Sequence, residues 1–417
     1  MSDAAPPLAL RPVDPDDDAL LEAWFANMAQ VFRAPWIPSR ERRELRREGL
    51  RAHRLTGAFD GDRLVATYRS WDWALTVPGG TVTADAVSTV TVLPTHRRRG
   101  ALTGLITADL ARARAAGAPV AVLIASEAPI YGRYGFGPAT RSTTWEVDVH
   151  AARLRPEVPR EGSLEIMDPA HLRPIAPAIF EAARGPGATD RDPGWWDTAC
   201  GIVRPPEEPA SPRVAVVHTD ADGVPQGFLV HGWRDDWDDH RVGHTVVTVE
   251  DFHVATPAAY AALWRYLVEL DLVATVRAPY RPVDEPLPWL LADPRAARRV
   301  ATTDFLWLRL LDPVAALTAR RYEVPGDVVL QITDPLGHAA GTFALVVGGD
   351  GAAVARPTTA APEVTLPVDV LSAAWLGDGG LPAAAVAGRA VEHRAGALAR
   401  AERLFSTAHA PWTGTWF

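Results

Sequence analysis

A chain of 417 residues is longer than one hydrophobic core usually serves, so two or three domains are expected. Its 47% hydrophobic and 22% charged residues are those of an ordinary globular protein, and its net charge of −9 excludes general nucleic-acid binding. All 42 basic residues are arginine, which excludes a Walker A loop and a pyridoxal phosphate Schiff base, since both need lysine.

Cys200 is the only cysteine, so neither an intrachain disulfide nor a Cys-rich zinc site is expected. The 12 histidines show no metal-ligand spacing, so no metal is expected. Met1 to Asp18 lacks the basic and apolar regions of a signal peptide, and no apolar run reaches membrane-spanning length. A cytoplasmic chain without membrane partners is the expectation.

Residues 1–150 read as one α/β (α+β) unit. Leu8–Val13 is a short strand, and Asp14-Pro15 opens a helix with Leu20, Leu21, Trp24, Phe25 and Met28 at helical spacing. Asp60-Gly61-Asp62 turns between the alternating strands Leu55–Phe59 and Leu64–Ala74, and Pro78-Gly79-Gly80 turns the chain again. A strand through Val90 and Val92 ends at Pro94, and a helix with Leu102, Leu105, Ile106 and Leu110 follows. Val120–Ile124 is an apolar strand, Ser126–Tyr134 a polar-to-helical stretch, and Trp145–Val149 is expected to close the unit.

Residues 151–305 look like a second copy of the first unit. Met167-Asp168-Pro169 leads a helix as Val13-Asp14-Pro15 does, and Val246–Val254 leads through Thr256-Pro257 into another. The arginines and glycine that follow the equivalent strand in the first copy are missing, so this copy reads as a degenerate scaffold. Residues 306–417 form a third segment: a helix Val314–Arg321, strands Val328–Thr333, Thr342–Val347 and Val364–Val368, then Ala-rich helices. The sequence closes on Pro411-Trp412-Thr413-Gly414-Thr415-Trp416-Phe417, too aromatic for a solvated tail.

The chemistry-bearing stretch joins the first unit's strand to its helix. Strand, basic glycine loop and helix start together build an anion site, because helix N-terminal N–H groups and the helix dipole favour negative charge. A diphosphate is the ligand expected. Val90, Thr91 and Val92 would offer backbone groups to an extended arm. Arg97, Arg98 and Arg99 surround the phosphate position, with Gly100, Ala101, Leu102 and Thr103 supplying backbone donors. The alternative is a solvated basic helix start. Asp235-Asp236-Trp237-Asp238-Asp239 reads as a solvated hairpin tip, and Trp195-Trp196 as core.

Arg97-x-x-Gly100-x-Leu102 resembles the pyrophosphate loop of GCN5-related N-acetyltransferases (GNAT), with Leu102 where a small residue is usual. Tyr131-Gly132-Arg133-Tyr134-Gly135-Phe136 resembles the Tyr-x-x-x-Gly-Phe element of the same superfamily. Together with Thr95-His96, Ala125-Ser126-Glu127 and Ile130-Tyr131, these motifs are similar to those of the enhanced intracellular survival (Eis) family. That resemblance implies tandem GNAT domains, the N-terminal one active and the second degenerate, followed by a sterol-carrier-protein-like domain.

The resemblance implies acetyl-CoA as cosubstrate, with Ser126 and Glu127 near its arm, and an amine acceptor of aminoglycoside, polyamine or lysine type. It implies Tyr131 as the general acid for the departing thiolate. A phenol suits that role, with a reference pKa of about 10 against about 8.5 for a thiol. It implies the terminal carboxylate of Phe417 as the base. Trp36 and Trp416 are candidate walls of the acceptor pocket, and a homohexamer, a trimer of dimers, is implied. The competing reading from another class is a non-catalytic acyl-CoA or lipid-binding protein.

Overall fold

The computed structural model describes residues 7–33, 40–203, 212–237 and 243–417. In chain order its strands begin with β1 (Ala9–Pro12), β2 (Arg54–Asp60), β3 (Arg63–Val77), β4 (Gly80–Val92), β5 (Val120–Ile124), β6 (Gly137–Pro138) and β7 (Arg141–Asp148). They continue with β8 (Ser163–Met167), β9 (Arg213–Thr219), β10 (Pro225–Arg234), β11 (Thr245–Val254), β12 (Val273–Arg281), β13 (Ala297–Asp304) and β14 (Leu306–Leu310). The last five are β15 (Gly326–Thr333), β16 (Gly341–Val347), β17 (Ala353–Pro357), β18 (Val364–Pro367) and β19 (Val391–Glu392). The chain forms two compact units: 1–140 with 305–408 and 416–417, and 141–304 with 409–415.

The first unit holds a seven-stranded sheet in the order β1-β2-β3-β4-β5-β14-β6. The helix Asp18–Phe32 starts later than the Asp14-Pro15 signal suggests, because Asp17 is the residue that caps it: its carboxylate accepts from the N–H groups of Ala19 and Leu20 at 3.0 Å. Its apolar stripe of Leu21, Trp24 and Phe25 packs on Val13, Leu55, Phe59 and Leu64. Burying each such side chain contributes roughly 1.5–3 kcal/mol. A second helix, Arg40–Arg51, also packs here through Leu50; its sequence is so arginine-rich that no apolar period announces it.

β4 and β5 are parallel and joined by the helix Ala101–Ala115. Alternation sorts their side chains by face: Val87, Ala121 and Leu123 meet Leu105, Ile106 and Leu110 of that helix, while Ala84, Ala86, Val120 and Val122 face the other way. The opposite face packs on a five-stranded sheet, β17-β16-β15-β18-β19, through Val328, Leu330 and Leu366, and on the helix Val368–Ala374 through Leu371 and the capping Trp375. β17 and β19, both short, are strands of this third segment beyond those expected from its sequence.

The second unit's sheet runs β13-β7-β12-β11-β10-β9-β8. Read from β8, it repeats the first sheet: β11 and β12 are parallel and joined by the helix Pro257–Val268, as β4 and β5 are. β7, expected to close the first sheet, instead pairs with β12 and β13. The corresponding place in the first sheet belongs to β14, beside β5. All five of its residues, Leu306–Leu310, are buried, as suits a strand covered on both faces. Which sheet a strand joins is a long-range choice that local alternation does not encode.

Candidate active site

The first sheet opens where the anion loop begins. Parallel pairing of β4 with β5 ends at Val87↔Leu123, and from Ser88 to Val92 β4 pairs with β3 alone. A bulge marks the opening: the β3 register shifts between Thr67 and Arg69, and Thr89 has φ +50°. Buried hydroxyls hold the bulge. Thr67 Oγ1 donates to the Thr89 carbonyl at 2.7 Å and meets Thr91 Oγ1 at 2.6 Å, and Thr91 Oγ1 donates to Asn27 Oδ1 at 2.6 Å. The Thr91 side chain is therefore part of the scaffold, while Val90 and Val92 are partly buried at the edge of the core. Asn27 was not singled out from the sequence; nothing in an apolar helical stripe marks a lone amide as a strand support.

Beyond Pro94 the loop turns through Arg98, at φ +65°, and Gly100, at φ +81°. Gly100 is the N-cap residue of Ala101–Ala115 and gives no side-chain cap. The N–H groups of Ala101, Leu102 and Thr103 thus lack the usual capping acceptor. A Cβ at Gly100 would have nothing within 4 Å, so its left-handed backbone, rather than crowding, calls for glycine. Arg97 and Arg98 are exposed at this end. Arg99 is partly buried: its Nη1 donates to Asp60 Oδ2 at 2.8 Å, and His96 Nε2 lies 3.2 Å from the same oxygen. The Arg99 guanidinium holds the Asp60 carboxyl below its usual range. Through Asp60 the Arg99 side chain braces the loop.

Across the opening, Ser126 and Glu127 are exposed ahead of the short helix Ala128–Tyr131. Tyr131 is buried in the cluster on the Ala101–Ala115 face, with its ring 6.2 Å from Phe136. Burial, reinforced by Glu127 and Tyr134, pushes its phenol up to about 12. Tyr134, in the turn that follows, has its hydroxyl 3.0 Å from Thr103 Oγ1. Gly135 has a structural reason: φ is +83°, and a Cβ there would sit 2.7 Å from Arg309 Nε.

Phe417 lies on the other face. Its ring stands edge-on to Trp73 at 4.5 Å and to Trp71 at 5.6 Å, and Trp71 stacks on His53 at 4.6 Å. This aromatic wall is built by β3, whose alternation shows apolar residues but not which of them border a site. Trp416 is exposed, with its ring 5.6 Å from that of Phe305. Trp36 lies outside the described residues, as do Asp238 and Asp239. Trp196 is core, as its sequence reading suggests.

A parallel pair that splays beside a bulge, with an uncapped helix N-terminus at its end, fits a diphosphate ligand with an extended arm. Thr89 Oγ1 and Asn27 Nδ2, both buried at the bulge, have no hydrogen-bond partner among the described residues.

Residues 12–139 match the family described as "Acetyltransferase (GNAT) domain". A second family of that description matches 187–310, and "Sterol carrier protein domain" matches 313–414. Fold and site together define a GNAT acetyltransferase, and acetyl-CoA is the acyl donor that this fold implies.

Among relatives, an uncharacterized N-acetyltransferase of Streptomyces griseus is 41% identical over 97% of this chain and 98% of its own. The N-acetyltransferase Eis of Mycobacterium tuberculosis is 36% identical over 84% of this chain and 81% of its own. The crystal structure of Eis1 from Mycobacterium abscessus superposes with a TM-score of 0.86 at 32% identity, covering 98% of this chain and 100% of that one. A GCN5-related N-acetyltransferase of Anabaena variabilis, 18% identical, shares the fold with a TM-score of 0.81 over 98% and 100% of the two chains. The chain belongs to the Eis family of N-acetyltransferases.

Proposed function

We propose that this acetyltransferase moves the acetyl group of acetyl-CoA to a small cationic amine of aminoglycoside, polyamine or lysine-like type, at one site in the first domain. The observation that carries this reading is the uncapped helix N-terminus at Gly100, placed at the end of the splayed β4–β5 pair. Backbone donors of Ala101, Leu102 and Thr103, with Arg97 and Arg98, hold the diphosphate. The β4 edge at Val90 and Val92 orients the arm and polarises the thioester carbonyl. Acetyl-CoA supplies an activated acyl group, and the chain's own residues manage the protons.

Tyr131 is the acid. With its phenol raised to about 12, it stays protonated across the working pH range and donates to the departing thiolate, whose reference pKa is about 8.5. The Phe417 carboxylate serves the amine from the opposite face of the sheet. With a reference pKa of about 3.3–3.7 it is a weak base, so it binds the ammonium and passes its proton to water. The Trp71 and Trp73 rings that meet the Phe417 ring make the acceptor side aromatic, which suits a cation.

CoA release measured over a panel of aminoglycosides, polyamines and lysine derivatives tests the reading. Tyr131→Phe is expected to lower kcat by about a hundredfold or more with acetyl-CoA affinity nearly unchanged. One residue added after Phe417 is expected to lower kcat likewise. Full turnover in both variants would overturn these assignments.

A further inference from the structure

The second domain repeats the splayed strand pair of the first, and the chain's own tail occupies its opening. Pairing of β11 with β12 ends at Thr248↔Arg277, so Val249–Phe252 and Pro279–Arg281 form the walls of the opening. Residues 409–415 lie in it. Trp412 Nε1 donates to the Tyr280 carbonyl at 2.7 Å, and the Trp412 N–H donates to the Pro186 carbonyl at 2.8 Å. The Trp412 ring lies 5.6 Å from that of His253 and 5.4 Å from the Arg281 guanidinium. Arg281 itself ties the walls together: Nη1 donates to the Phe252 carbonyl at 2.9 Å, across from its own strand. Beside Trp412 the void is about 10 Å³, at most the space of one water, while a cavity of about 190 Å³ bordered by Arg191, Trp195, Trp196 and Gly414 stays open on the other side of the tail.

The polar end of the tail is gripped from below. Arg191 Nε donates to Thr415 Oγ1 at 3.0 Å, and Arg191 Nη1 donates to Asp251 Oδ2 at 2.7 Å. His253 Nε2 lies 2.9 Å from Asp251 Oδ1. Thr413 and Thr415 are 2% and 1% exposed. The Ala410 N–H donates to Asp284 Oδ2 at 3.0 Å. The helix Pro257–Val268, which follows β11, is closed to anions by its own cap: Thr256 Oγ1 accepts from the Ala259 N–H. Strand edges and helix N-terminus, both open in the first domain, are both used internally here.

We propose that the second domain's cleft is a receptor for the chain's own C-terminal segment, with Trp412 as the positioning residue that seats it. The tail takes the place that an acyl carrier's arm would take in a working copy. Two residues beyond Thr415 comes Phe417, so the cleft holds the segment that carries the carboxylate. The catalytic consequence rests on the carboxylate reading above; the docking itself does not.

The full-length enzyme with Trp412→Ala, Trp412→Phe and Thr415→Val tests this. A carboxypeptidase is expected to release Phe417 about tenfold faster from Trp412→Ala than from the parent, with Trp412→Phe in between. kcat is expected to fall by about tenfold while KM for acetyl-CoA stays within about twofold. Thr415→Val, which removes only the Arg191 hydrogen bond, gives the same direction should Trp412→Ala fail to fold. Release rates equal to the parent's in these variants overturn the proposal, whatever happens to kcat. Faster release with unchanged kcat upholds the docking and overturns the catalytic role of the carboxylate instead.

Discussion

Beneath the first domain's opening, Asp85 is fully buried on β4. Arg54 Nη2 donates to its Oδ1 at 2.8 Å, and Arg112 donates to the same oxygen. Asp109 lies beside it, accepting from Ser70 Oγ at 2.9 Å. Burial and the second carboxyl outweigh both guanidiniums, and Asp85 is raised to about 8. A carboxyl whose folded pKa exceeds its unfolded value of about 3.9 contributes stability that is complete below the unfolded value and lost as pH rises through the folded one. Thermal unfolding of the parent should therefore lose stability between about pH 4 and about pH 8, and Asp109→Asn should flatten that loss. An unchanged pH slope in the variant would show that Asp109 does not set the proton affinity of Asp85.

At the scale of elements, the helix Ala101–Ala115 is where structure becomes function. Its companion Pro257–Val268 is capped by a threonine hydroxyl; this one begins at a glycine in the left-handed region and leaves its donors open. Gly100→Val forces a β-branched residue to φ +81°, a strain of roughly 1–3 kcal/mol. KM for acetyl-CoA is expected to rise by about tenfold, in steady-state kinetics, with folding retained. An unchanged KM would remove the loop from the binding site. This element was legible in the sequence, because an anion site at a helix start is local: strand, arginines, glycine, apolar period. Local signals also revealed β11 and its helix as a second copy without the loop. The commitment of Arg99 to Asp60 was not legible, since the partner comes from a hairpin 39 residues earlier.

At the scale of the whole molecule, two sheets share one strand order, and only one keeps its opening clear. Sequence reading found the duplication and the sterol-carrier-like end. It missed that β7 and β14 each complete the sheet of the other half of the chain, because Trp145 and Leu306 carry no mark of their distant partners. It also placed the aromatic end in a buried setting without distinguishing Pro411, Thr413 and Thr415, which are buried, from Trp416, which is 54% exposed. The two proposals together divide the labour: the first domain would bind the acyl donor, and the second would give the same architecture to its own tail. Calorimetric titration of the full-length enzyme with acetyl-CoA tests this directly. One equivalent bound per chain is the result expected, and two equivalents, or none, would contradict it.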